Sequence, residues 1–258
     1  QDFFLEDVIE KTQYQLSKSS KWVKKNMRKD DEIPKLQGDY SEVTAKTMAL
    51  LDEALINTEL IEKLVGRLLV ESTEKKLGAI LIFVPGAYLI NKLVKGLQSS
   101  SSISGHGFKI LALPLHGGLP PSQQSKVFER PPPGVTKIVV ATNVAETSIT
   151  IDDVTCVIDT GRANEVRFDA VKGISRLQEV YVSQASCQQR RGRAGRVQPG
   201  ECYKLFSRKT WNNMDRNTLP EISRSALHAL VMDTKAIVQG DIFDVLGNML
   251  TPPPRDGL

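Results

Sequence analysis

Ala79-Ile80-Leu81-Ile82-Phe83-Val84 is an apolar run with no polar interruption, stopped by Pro85-Gly86. A strand with one wet face alternates apolar and polar residues. A run that is apolar throughout suits a strand covered on both faces, as in a parallel sheet. Further strand candidates follow at Ile110–Leu113, Lys137–Ala141, Val154–Asp159, Val180–Ser183 and Cys202–Phe206. Helix-length segments at about 87–98, 120–130 and 143–149 separate the early ones. This alternation predicts an α/β fold, a parallel sheet flanked by helices on both faces. Ligands of open α/β sheets bind beyond the carboxyl ends of the strands. Three polar clusters stand just after strand candidates: Pro85-Gly86, Leu115-His116-Gly117-Gly118, and Thr142-Asn143-Val144-Ala145-Glu146-Thr147-Ser148. In a parallel sheet all three share one edge.

The second constraint is Gln189-Arg190-Arg191-Gly192-Arg193-Ala194-Gly195-Arg196, four arginines and two glycines in eight residues. It is a poor sequence for a core, and each interior glycine costs a helix roughly 1 kcal/mol relative to alanine. Ser183 and Ser186 upstream offer N-cap hydroxyls, so a helix through the stretch is expected. At about 100° per residue, Gln189, Arg193 and Arg196 then fall within a wedge of roughly 60°. Arg190 and Arg191 point elsewhere and are expected to matter less. Guanidiniums on one face suit phosphate oxygens, which they bind as a bidentate fork. A solvated basic helix face is the other reading of the same residues.

Thr142-Asn143-Val144-Ala145-Glu146-Thr147-Ser148-Ile149-Thr150-Ile151-Asp152 is the next signal. Small hydroxyl and amide side chains after a strand, with backbone amides, can face phosphate oxygens. They also make N-caps and ordinary turns. Phe128, ahead of Pro131-Pro132-Pro133-Gly134, reads by itself as a core residue. Gly161 to Ser183 alternates loosely around Lys172-Gly173, which suits a β-hairpin. Its basic residues Arg162, Arg167, Lys172 and Arg176 also fit solvated edge charges. His116 has no catalytic partner nearby in sequence and reads as structural.

Composition limits the rest. The net charge is only +4, which permits an anionic partner without demanding one. Cys156, Cys187 and Cys202 are odd in number and far apart, so buried free thiols are expected instead of a disulfide framework or zinc site. No apolar run approaches the ~18 residues of a membrane span. Residues 1–16 suit a short amphipathic helix, and Ser17 to Glu32 a basic connector with Trp22 as its candidate anchor. From about Thr44 to Glu71 the spacing of Leu60, Ile61, Leu64 and Leu68 marks a core-facing helix.

Gln-x-x-Gly-Arg-x-Gly-Arg at 189–196 resembles motif VI of superfamily 2 helicases, in the version of the DEAH-box/RHA branch. The segment 142–152 is similar to motif V of the same family, almost residue for residue. The opening Phe-Phe-Leu-Glu-Asp-Val-Ile is similar to the region after the first domain in the RNA and G-quadruplex helicase subgroup. The resemblance covers roughly 55–255, and residues 17–43 match nothing in it.

It implies a RecA-like parallel sheet with a β-hairpin insertion and the start of a winged-helix domain. It also implies catalytic roles at the γ-phosphate for Gln189, Arg193 and Arg196, the arginines as arginine fingers. Nucleotide-binding roles fall to Phe128, stacked on adenine, and to Ser148, Thr150 and Asp152, with the aspartate on the ribose. RNA-backbone contacts fall to Gly86, Gly117, Thr142 and Asn143. The implied cofactors are ATP and Mg²⁺, the metal held mainly by a first RecA-like domain.

The implied domains are 1–55 as an extension and basic linker, 56–210 as the second RecA-like domain, and 211–258 as a truncated start of a winged-helix domain. Neither a G-x-x-x-x-G-K-[S/T] loop nor an Asp-Glu-x-His motif occurs in the sequence. The chain therefore reads as one half of an ATP site, excised from a longer intracellular protein of cytoplasm or nucleus, and inactive in hydrolysis alone. Expected partners are RNA, with DNA or a G-quadruplex also open, the other domains of the same protein and an activating protein, with no membrane. A helicase-like module that binds RNA or a partner without hydrolysis is the alternative.

Overall fold

The computed structural model describes residues 1–17, 19–25, 36, 38–72, 77–147, 149–169, 172, 174–196, 199–223, 227–238, 240–249 and 252. The strands are β1 (Asp2–Phe3), β2 (Ala79–Phe83), β3 (Lys109–Leu115), β4 (Val135–Ala141), β5 (Val154–Asp159), β6 (Arg162–Asp169), β7 (Ile174–Tyr181) and β8 (Glu201–Lys204). The helices are α1 (Leu5–Thr12), α2 (Glu42–Leu50), α3 (Thr58–Glu71), α4 (Ala87–Ser99), α5 (Ser101–Ser104), α6 (Pro121–Gln124), α7 (Val144–Thr147), α8 (Gln184–Arg191), α9 (Arg208–Asn213), α10 (Leu227–Ile237) and α11 (Ile242–Gly247). A 3₁₀ turn spans Ser125–Phe128.

Six strands form one sheet in the order β1-β8-β5-β2-β4-β3, and every pair in it is parallel. This is a RecA-like α/β sheet. β2 lies at its centre and is buried at every residue, as its unbroken apolar run predicts. Alternate residues of the strands feed two cores. Ile80, Ile82, Ile138, Val140, Cys156 and Ile158 face α1, α3 and α4, whose Ile9, Leu64 and Leu93 are buried there. Leu81, Phe83, Val139, Ala141, Val157 and Cys202 face the other way, against Ala145, Ile151 and Ala194. The second face carries the two arginine- and threonine-rich segments.

Three expectations are corrected. Residues 1–16 are not an extension. β1 is the edge strand beside β8, and Leu5, Val8 and Ile9 lie in the first core, so a boundary at 55/56 would cut one packed body. Trp22 does anchor the connector: it is buried, and Val23 bridges Leu51. Val180 and Tyr181 belong to β7 and not to the main sheet. β6 and β7 pair antiparallel as a separate ribbon, from Arg162↔Tyr181 to Asp169↔Ile174, which is the hairpin expected over 161–183.

The third correction is α8. Ser183 caps it, its hydroxyl accepting from the Ser186 amide at 3.1 Å, but the helix ends at Arg191. Arg193 N–H then donates to Arg190 O and Ala194 N–H to Arg191 O, a tighter turn than the helix. Two glycines weaken helix continuation. Ala194 is buried in the second core, and a Cβ on Gly200 would stand 2.0 Å from the Ala194 carbonyl oxygen. Burial of Ala194 under that close approach sets the turn, so no single helix face carries Gln189, Arg193 and Arg196.

Candidate functional site

Parallel strands end together, and the turns after β2, β3 and β4 meet at one edge. Val84 N–H donates to Ala141 O at 2.9 Å, and Thr142 N–H to Leu115 O at 3.1 Å. Gly86 lies against the hairpin: a Cβ there would approach Asn164 Nδ2 to 2.8 Å, so only glycine fits without displacement. Gly117 faces Val144, 3.9 Å from where its Cβ would be. Asn143 is exposed and Thr142 half-buried. The structure therefore brings Gly86, Gly117, Thr142 and Asn143 together beyond the carboxyl ends of three neighbouring strands.

From Asn143 the chain must return to the start of β5, because β4 and β5 run in the same direction. It does so along the second face of the sheet, as α7 and the 149–153 turn. Arg193 reaches into this return. Its Nη1 donates to Ile149 O at 3.0 Å and its Nη2 to Glu146 O. Arg196 Nη1 donates to Thr150 Oγ1. Arg193 is buried and its Nε has no partner among the described residues, whereas Arg196 is exposed. Burial, and then the neighbouring Arg196, hold the Arg193 guanidinium below its ordinary pKa. Among the described residues neither arginine pairs with a carboxylate. Two adjacent guanidiniums that, among the described residues, form no ion pair can bind an anion. Gln189 is exposed on the last turn of α8. Ser148 lies outside the described residues.

Arg190 is the largest side chain in full burial. Its Nε donates to Glu146 Oε2 at 2.9 Å, its Nη1 to Asp159 Oδ1 at 2.9 Å and to Arg162 O at 3.2 Å, and it lies over the Phe83 ring. Burial alone would depress this guanidinium, but Asp159 and Glu146 carry it above its usual value. Arg190 and Arg191 are thus not alike, because Arg190 is locked in a buried ion-pair network. Arg191 pairs with Asp2 at 2.7 Å, near the surface. Glu146 is held at both ends, its carboxylate by Arg190 and its carbonyl by Arg193. That couples α8, the 142–153 segment and the base of the hairpin in one buried network.

Phe128 and Asp152 are both exposed, which removes the reading of Phe128 as core. They stand before β4 and near the start of β5, at the far end of the face from Thr142. Sequence reasoning passed over the group between them, Lys137. Its ammonium reaches Val127 O, Glu129 O and the Asp153 carboxylate. A lone charge inside the apolar strand Val135–Ala141 was the signal that could have marked it. The three cysteines are free and buried, as expected. Among the described residues no helix is long and apolar enough to cross a membrane.

Residues 58–198 match the family described as the helicase conserved C-terminal domain. The chain is similar to the DExH-box ATP-dependent RNA helicase DExH1 of Arabidopsis thaliana, at 36% identity over 98% of this chain and 27% of that protein. It is also similar to the human ATP-dependent DNA/RNA helicase DHX36, at 36% identity over 100% of this chain and 27% of the relative. Among solved structures, the Escherichia coli DEAH/RHA helicase HrpB superposes with a TM-score of 0.60 at 35% identity, covering 70% of this chain and 22% of that one. The chain thus spans about a quarter of the length of these curated relatives.

Proposed function

This chain belongs to the helicase conserved C-terminal domain family, in the DEAH-box branch of superfamily 2, and from that premise we propose that it is the second RecA-like domain of an ATP-dependent RNA helicase or translocase. The observation that carries the reading is the pair Arg193 and Arg196, two guanidiniums without carboxylate partners over the 146–150 loop. The buried Arg193 Nε, which has no hydrogen-bond partner among the described residues, adds donor capacity.

In this reading the residues fit half of a nucleotide site. Phe128 offers its face to the base, Asp152 its carboxylate to the ribose, and Thr150, Arg196, Arg193 and Gln189 line the path of the phosphates. The residues that hold Mg²⁺ and cradle the β-phosphate belong to a first RecA-like domain. When bound, ATP supplies the phosphoryl transfer that opens and closes the two domains. Arg196, exposed and bonded among the described residues to the Thr150 hydroxyl, would move onto the γ-phosphate as the domains close. Arg193 stays braced on the Glu146 and Ile149 carbonyls and adds its charge from there. Thr142, Asn143, Gly86 and Gly117 contact nucleic-acid backbone at the carboxyl edge, with the hairpin beside them. Backbone contacts carry no sequence information, so the track by itself does not favour RNA over DNA, and the preference for RNA rests on the resemblance. Residues 211–258 begin a winged-helix domain.

Phosphate release tests the half-site reading. The full-length protein hydrolyses ATP and is stimulated by RNA, and this chain alone does not. RNA-stimulated turnover by the isolated chain overturns it.

A further inference from the structure

Lys137 is the one charged residue of β4 and shares the parity of Val139 and Ala141, which places it on the second face of the sheet. It is 1% exposed. A buried ammonium persists when its donors are all satisfied, and an ammonium has three. Lys137 Nζ donates to Val127 O at 2.7 Å and to Glu129 O at 2.9 Å, and pairs with Asp153 Oδ1 at 2.9 Å. The two carbonyls are those flanking Phe128, a residue that remains 52% exposed. The carboxylate belongs to the neighbour of Asp152, and the Asp153 carbonyl is itself fixed by the Ala79 amide at 2.7 Å. One ammonium therefore joins the main chain on both sides of an exposed aromatic ring to the turn that holds an exposed aspartate.

We propose that Lys137 is a positioning residue for the nucleotide: it fixes the separation between the Phe128 ring and the Asp152-Asp153 turn, so that base and ribose are gripped as a unit. The proposal rests on the reading of Phe128 as the base-stacking residue. Lys137 touches no substrate and acts through Phe128, so its effect must vanish when the ring is gone.

The test is a double-mutant cycle in the full-length protein, with KM and kcat for ATP and GTP and the Kd of a fluorescent adenine nucleotide. Phe128→Ala raises KM about fivefold or more for both nucleotides, from lost stacking. Lys137→Met raises KM in the same direction with kcat changed less than about twofold, and adds nothing further on the Phe128→Ala background. Asp153→Asn leaves both carbonyl bonds and gives a smaller, equally non-additive rise. It carries the test if Lys137→Met does not fold. Additive effects, or a fall in kcat with KM unchanged, overturn the proposal. A rise with Phe128→Ala and none with Lys137→Met or Asp153→Asn overturns the proposal alone. No change with Phe128→Ala removes the stacking reading, and the proposal with it.

Discussion

Arg190→Ala separates a buried network from a basic surface. Arg190 is 1% exposed, and its partners Asp159 and Glu146 are 0% and 12% exposed at their side chains. Truncation strips Asp159 of its cation and leaves it the Gly161 amide, at 2.8 Å on Oδ1, and the neutral Cys187 thiol. Removing one member of a buried ion pair costs about 3–5 kcal/mol, and the lost contact with the Phe83 ring adds about 0.5–2 kcal/mol. Against a domain stability of about 5–15 kcal/mol, that is a large fraction. For a chain of this length, the ion-pair loss of about 3–5 kcal/mol alone lowers Tm by roughly 6–20 °C. Arg191→Ala is the control: its side chain is 53% exposed, and its pair with Asp2 is worth about 0–1 kcal/mol. Urea unfolding followed by circular dichroism measures both variants. Adding Asp159→Asn and Glu146→Gln to Arg190→Met recovers part of the loss, because the stranded charges are removed. Equal losses of under about 1 kcal/mol for Arg190→Ala and Arg191→Ala refute the network.

Burial pushes the thiols of Cys156, Cys187 and Cys202 up from their ordinary range. The native chain therefore gives no reaction with a thiol reagent at pH 8 over the time an exposed cysteine needs, and all three react in denaturant. Fast native reaction contradicts the burial. Thr142→Ala with Asn143→Ala in the full-length protein weakens RNA binding by a similar factor for unrelated sequences, measured by fluorescence anisotropy across a salt series. A loss confined to some sequences makes these residues base readers.

The sheet was legible because its strands carry the pattern that burial imposes. Ala79–Phe83 and Val154–Asp159 are covered on both faces, and their sequences contain little that could face water. The hairpin was legible from alternation and turn residues. β1 was not: two residues give no periodicity, and Asp2–Phe3 is a strand only because β8 offers an open edge. The end of α8 was misjudged because a helical wheel assumes the helix continues, and burial of Ala194 beneath Gly200 decided otherwise. The wheel still singled out two arginines that meet, since the turn that replaced the helix carries Arg193 and Arg196 to the same loop. Arg190 was opaque for a different reason: its partners lie in other elements, and sequence alone does not distinguish a guanidinium in water from one between two acids. Lys137 carried a signal, a lone charge in an apolar strand, but its partners also lie outside that strand.

Single-turnover ATP hydrolysis by the full-length protein tests the central claim most directly, comparing Arg196→Ala, Arg193→Ala and Arg191→Ala. Arginine fingers contribute about 10³–10⁵ in turnover. The account predicts a fall of that order for Arg196→Ala, a large fall for Arg193→Ala, poor rescue by Arg196→Lys because the planar fork is lost, and near-normal turnover for Arg191→Ala. ATP binding falls much less than turnover in each case. Small and equal effects at all three positions contradict the account, and would mean that these guanidiniums are a solvated basic surface.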